Sequence, residues 1–87
     1  MLEIYFAPSF LRKLKSLDPN LQTEVVKKTE AFKDPNNHQS LKVHKLKGRL
    51  KGRYSFSVDY KNRIIFDYLN KKEVVFLSIG NHDVYKV

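Results

Sequence analysis

The chain has no cysteine, so neither a disulfide nor a thiolate metal ligand is available to it. Its histidines stand at 38, 44 and 82, too scattered to give a metal-ligand spacing. Glycine is scarce, and Gly48-Arg49-Leu50-Lys51-Gly52 is not a phosphate-cradling P-loop. No serine-hydrolase elbow and no glycosidase-type pair of carboxylates occurs. The chemistry expected is therefore free of both metal and cofactor. Apolar runs fall far short of the ~20 residues that span a bilayer, and no signal-peptide pattern opens the sequence. A cytoplasmic protein that does not enter a membrane is expected. Acidic residues are also few: nine Asp and Glu against seventeen Lys and Arg, for a net charge of +8 and a pI near 9.8. A balance of that kind points to a polyanionic partner, whether nucleic acid, an acidic protein or an anionic surface.

Eighty-seven residues make one domain, residues 1–87, with room for a single sheet and one or two covering helices. Six Phe and five Tyr argue for a packed core rather than a basic tail. Met1 to Phe6 alternates, with Leu2, Ile4 and Phe6 on one face, and reads as a half-buried strand that Pro8 ends. Ser9 is placed to cap a short amphipathic helix carrying Phe10, Leu11, Leu14 and Leu17. Asp18 and Pro19 restart a second helix as N-cap and first helical residue. Its apolar stripe is Leu21, Val25, Val26, Thr29 and Phe32, and it runs to about Lys33. The two helices are expected to form an antiparallel hairpin on one sheet face. Asp34 to His38 is a loop by composition, with His38 in solvent.

Three strands follow, joined by short turns that imply an antiparallel meander. They are Tyr54 to Val58, Arg63 to Leu69, and Glu73 to Ile79. A further short strand fits around Leu41 to Leu46. The expected class is α+β: an N-terminal strand, a two-helix hairpin, then a three- to four-stranded antiparallel meander in one twisted sheet. The first strand reaches that sheet through the helices, so it can lie parallel to a later neighbour.

Two stretches carry the chemistry. From Lys42 to Arg53 there are Lys42, Lys45, Lys47, Arg49, Lys51 and Arg53, with His44 among them and no acid. Glycines there let the backbone turn and approach a phosphate. The second stretch is the end of the last strand, where Gly80-Asn81 breaks the apolar run and His82, Asp83 and Tyr85 follow. These groups suit metal-free phosphodiester chemistry. RNA supplies its own 2′-OH nucleophile. The protein must take one proton, donate another, and stabilise charge on the phosphorane. His82 and His44 are the candidates for proton transfer. Arg63, which opens a strand, is the candidate for charge stabilisation, with pairing to Asp59 as its structural alternative. Tyr85 can hydrogen-bond or stack on a base, or simply pack.

Taken together, these patterns resemble the RelE/ParE superfamily of bacterial and archaeal type II toxins. The resemblance rests on the opening strand and helix pair, Val43-His44-Lys45-Leu46-Lys47-Gly48 with its basic continuation to Arg53, the run YSFSVDYKNRIIF from Tyr54 to Phe66, and the ending Ile79-Gly80-Asn81-His82-Asp83-Val84-Tyr85. It implies a RelE-like fold and an endoribonuclease of the mRNA interferase kind, acting on mRNA in association with the ribosome. It also implies a cognate antitoxin partner in a hetero-oligomer. Residue by residue, Arg63 matches the arginine that contacts the scissile phosphate, and Tyr85 the C-terminal catalytic tyrosine or phenylalanine. His82 and His44 match the two histidines of the YafQ-like branch. Lys45, Lys47, Arg49, Lys51 and Arg53 take the RNA-phosphate role. Where RelE carries lysines on the strand corresponding to Tyr54–Val58, this chain has Ser55 and Ser57. A ParE-like gyrase inhibitor that acts by protein binding, and an inactive member that only binds its antitoxin, are the alternatives on the same fold.

Overall fold

The computed structural model describes residues 1–81; His82, Asp83 and Tyr85 lie outside them. Strand β1 (Glu3–Phe6) is followed by helices α1 (Pro8–Ser16) and α2 (Pro19–Phe32). The short strand β2 (His44–Lys45) comes next, then β3 (Tyr54–Ser57), β4 (Arg63–Tyr68) and β5 (Glu73–Gly80). One-turn 3₁₀ segments occupy Pro35–Asn37 and Gly48–Leu50. The five strands form one sheet in the order β1-β5-β4-β3-β2. The last four strands are antiparallel neighbours, whereas β1 runs parallel to β5, with Glu3 opposite Glu73 and Phe6 opposite Phe76. The expected α+β class, the parallel first strand and the extra short strand all hold. Among the described residues, no helix is long and apolar enough to cross a membrane.

Asp18 caps α2 as its sequence predicts, accepting from the backbone N–H groups of Asn20 and Leu21, with Pro19 in the first turn. Ser9 does not cap α1; the cap position is Ala7, which offers no side-chain acceptor. The Ser9 hydroxyl instead donates to the Leu77 carbonyl at 3.0 Å. That carbonyl belongs to an irregularity: opposite β4 the register jumps from Ile65–Ser78 to Phe66–Phe76, so Leu77 is an extra residue in β5. A bulge of this kind loosens the ladder locally, and Ser9 ties it to α1.

The core lies between the helices and one face of the sheet. α1, α2, β3, β4 and β5 contribute one fully buried phenylalanine each: Phe10, Phe32, Phe56, Phe66 and Phe76. Phe32 is the hub, 4.6 Å from the Phe56 ring, 4.9 Å from Phe66 and 5.4 Å from Phe76. Offset-stacked and edge-on pairs add about 0.5–1.5 kcal/mol each beyond their burial. Two expectations fail here. Val26, assigned to the buried stripe of α2, is 60% exposed. His38 is not in solvent: its ring stacks on Phe32 at 4.5 Å, and its Nε2 bonds the Phe32 carbonyl at 2.8 Å. An imidazole that closes the end of a phenylalanine core is invisible to a composition rule that reads Asp-Pro-Asn-Asn-His as loop.

Candidate nucleic-acid interface

Strand alternation sends Ile64, Phe66, Phe56 and Val58 into the core. Their neighbours Ser55, Ser57, Arg63, Ile65 and Asp67 therefore share the opposite face, away from α1 and α2. The pairing registers set two adjacent rows on that face. One runs His44, Ser55, Ile65, Ser78; the next runs Ser57, Arg63, Gly80. From strand and row spacings, His44 and Arg63 are roughly 12 Å apart at Cα, a span that two long side chains can bridge through one substrate group.

Arg63 is held rather than free-swinging. Its Nη1 donates to the Ser57 hydroxyl, directly across the pair, at 2.7 Å. The alternative partner, Asp59, is occupied elsewhere: it accepts from the Lys61 and Asn62 backbone and from the Asn62 amide, closing the β3–β4 turn. Burial works against ionising that carboxyl, and these donors outweigh it, so its pKa falls below the usual range. Arg63 itself is half-buried.

His44 is exposed on the edge strand β2. Its Nδ1 lies 3.0 Å from the Lys42 carbonyl, and its Nε2 is 3.5 Å from the Ser55 hydroxyl, a weak approach at that length. Ser55 itself is fully buried.

The basic segment is anchored to the same face by two leucines. Leu46 and Leu50 form a second apolar cluster with Ile65, the one large apolar side chain of the open rows. Around them Gly48 and Gly52 take φ of +70° and +91°. That backbone is open to glycine and strained for other residues, although a Cβ would meet no atom within 4 Å at either position. The result is a tight basic loop laid over the sheet, with Lys45, Lys47, Arg49, Lys51 and Arg53 all exposed. Among the described residues, the ion pairs are Lys27–Glu24 and Lys33–Glu30 on and beside α2, so none of these five cations pairs with a described acid.

The fold thus places Arg63, His44 and the Lys47–Arg53 loop on one side of the sheet, although the sequence had named them from separate stretches; Lys45, opposite Tyr54, alternates to the other side. His82 and Tyr85 lie outside the described residues, but β5 delivers the chain to the Arg63 row, with Gly80 opposite Arg63. Ser57 is the residue that sequence reading passed over; the signal was there, since it alternates with Phe56 and Val58 and must share the face of Arg63. Leu46 and Leu50 were also missed as anchors, because one ends the alternating Leu41–Leu46 stretch and the other sits inside the glycine-and-basic run.

The fold recurs in solved toxin structures. The chain is similar to the heterotetrameric YoeB–YefM toxin–antitoxin complex from Staphylococcus aureus, with TM-score 0.72 and 20% identity over 94% of this chain and 98% of that one. It is similar to an archaeal RelE–RelB complex from Pyrococcus horikoshii, with TM-score 0.71 and 16% identity over 92% and 93%. It is also similar to a YafQ mutant from E. coli, with TM-score 0.60 and 20% identity over 98% of both chains. No family model matches the sequence, and no curated protein does. The architecture is therefore the RelE-like α+β fold, shared with structures named YoeB, RelE and YafQ.

Proposed function

We propose that this chain is the toxin of a type II toxin–antitoxin pair and an endoribonuclease that cleaves mRNA, in association with the ribosome. The observation that carries the reading is the sheet face away from the helices, where Arg63 and His44 lie beside a loop of exposed cations. Three solved structures of the same fold support it by name: a YoeB–YefM toxin–antitoxin complex, a RelE–RelB complex and a YafQ mutant. The Lys45–Arg53 cations draw the RNA backbone to the face by releasing its counterions. Arg63, pre-aimed by Ser57, stabilises the extra negative charge as the 2′-OH attacks the adjacent phosphorus. One imidazole takes the 2′-OH proton and another group protonates the departing 5′-oxygen. His44 and His82 fill these two roles, and Tyr85 positions or stacks on the substrate. The products are a 2′,3′-cyclic phosphate and a 5′-hydroxyl, so the chemistry runs without a metal.

The test is cleavage of an mRNA in a translating extract containing EDTA-treated toxin, and of naked RNA with excess EDTA, comparing wild type with His82→Ala and Arg63→Ala. Wild type is expected to cut, and both folded variants are expected to lose cleavage by ~10²-fold or more. Intact mRNA with and without ribosomes would sink the reading and make inhibition of DNA gyrase the next assay.

A further inference from the structure

One backbone position in the described residues is out of the ordinary. Lys42 has φ +59°, the only positive φ at a non-glycine residue among them. A lysine there is strained, and such strain persists where the surroundings fix it and a site uses it. The surroundings here are specific: the Lys42 N–H donates to the Gln39 carbonyl, the next N–H, of Val43, donates to His38, and Leu41 is buried with its carbonyl accepting from Ser57. The peptide between Lys42 and Val43 is thereby turned so that its carbonyl lies 3.0 Å from His44 Nδ1.

A carbonyl oxygen can only accept. The bond therefore requires the proton to be on Nδ1, and in the neutral ring it leaves Nε2 bare. Nε2 is the nitrogen on the Ser55 side, 3.5 Å from that hydroxyl, on a ring that is itself exposed. We propose that Lys42 is a positioning residue that acts through its backbone: its left-handed conformation locks His44 in the Nδ1–H tautomer and presents Nε2 as the general base for the 2′-OH. This rests on the ribonuclease reading for the role of His44, and it resolves that reading's two histidines: His44 is the base, which leaves the leaving-group proton to His82. The balance is simple. Nε2 takes the 2′-OH proton as the oxygen–phosphorus bond forms, the imidazolium keeps its Nδ1–H bond to Lys42, and the 5′-oxygen leaves with a proton from the acid.

The backbone role separates cleanly from a side-chain role. Glycine and asparagine accept a left-handed φ, whereas valine does so poorly. A phosphate-contacting lysine would be lost in all three variants; a carbonyl held by φ is lost in valine alone. The experiment is long-range ¹H–¹⁵N correlation of the His44 ring in the whole protein, at a pH where the ring is neutral, on wild type, Lys42→Gly, Lys42→Asn and Lys42→Val. Cleavage kinetics are run in parallel. Wild type, glycine and asparagine forms are expected to show a protonated Nδ1 and a bare Nε2, with kcat within a few-fold. Lys42→Val is expected to shift toward the Nε2–H tautomer and to lose kcat about a hundredfold with KM little changed. A wild-type ring protonated on Nε2, or a Lys42→Val ring still protonated on Nδ1, overturns the proposal. The wild-type spectrum decides even if Lys42→Val does not fold. The tautomer is read without any cleavage, so an inactive protein with the expected tautomer refutes the ribonuclease reading and leaves the lock standing.

Discussion

The two faces of this sheet are built from the same strands but hold together by different means. The covered face is a phenylalanine cluster to which every long element contributes one ring. On the open face the two rows that hold His44 and Arg63 contain one large apolar side chain, Ile65, with two leucines from the basic loop to cover it. The first arrangement tolerates no loss, because a packed interior cannot refill a ring-sized hole. The second leaves a polar, cationic surface whose members are positioned by single contacts: Ser57 on Arg63, and the Lys42 carbonyl on His44. Stability is concentrated on one side of a layer one strand thick, and the candidate chemistry on the other.

Breaking the covered face should cost the most. Phe32→Ala removes the ring that touches Phe56, Phe66, Phe76 and His38, and a loss of about 3–5 kcal/mol is expected from denaturant unfolding; a loss under 1 kcal/mol would mean that the core is not centred there. On the open face the order reverses between stability and activity. Arg63→Ala should lower cleavage by ~10²–10³-fold while shifting the unfolding midpoint little, and a variant that unfolds before it loses activity would contradict the division between faces. Leu50→Ala loosens the anchor of the basic loop; about 2 kcal/mol of stability and a weaker salt dependence of RNA binding are expected together. Ser57→Ala frees the Arg63 guanidinium, with about a tenfold loss in kcat that Ser57→Thr restores.

The smallest effect tests the edge of the sheet, where the two faces meet. There the Tyr5 hydroxyl donates to Glu73 at 2.7 Å and the Asn70 amide donates to the same carboxylate. The Tyr5 bond, then the Asn70 bond, hold the Glu73 carboxyl below its usual pKa against a small effect of burial. The same Tyr5–Glu73 bond, with the charges of Glu3 and Glu73, raises the phenol. A depressed carboxyl pKa stabilises the fold above the unfolded value and loses that contribution as pH falls through the folded one; a raised phenol pKa stabilises below the unfolded value and loses it as pH rises through the folded one. Tyr5→Phe should therefore be less stable than wild type at neutral pH, and the two should converge in acid. A difference that stays constant across the acid titration would show that the bond is not the cause.

Much of this was legible because it rests on period and punctuation. Alternation in Tyr54–Val58 and Arg63–Leu69, the Asp18-Pro19 restart and the crossing made necessary by two helices after β1 gave the sheet and its topology. The misses share a cause: each depends on a partner distant in sequence. Ser9 looked like a cap until the Leu77 bulge offered it a better acceptor. His38 looked solvated because nothing local announces Phe32. Leu46 looked like strand alternation and Leu50 like part of the basic run because Ile65, distant in sequence, is the residue that makes them a cluster. At the candidate site, residue types were readable, but which oxygen faces which nitrogen was not: Ser57 for Arg63, and a lysine backbone for His44.

The parallel pairing of β1 with β5 has a consequence in time. β5 sits between β1 and β4, so an interior strand of the sheet is the last of the five to be synthesised, and Glu3 waits for Glu73. Until then β1 has no neighbour, β4 lacks one side of its ladder, and Phe76 is missing from the ring cluster. Contacts this far apart in sequence slow folding, because the chain must close a long loop before any pairing rewards it. A growing chain of this protein therefore carries its loop cations, and then its Arg63 strand, before the sheet that aims them is complete, and the surface matures only when β5 slots into the gap.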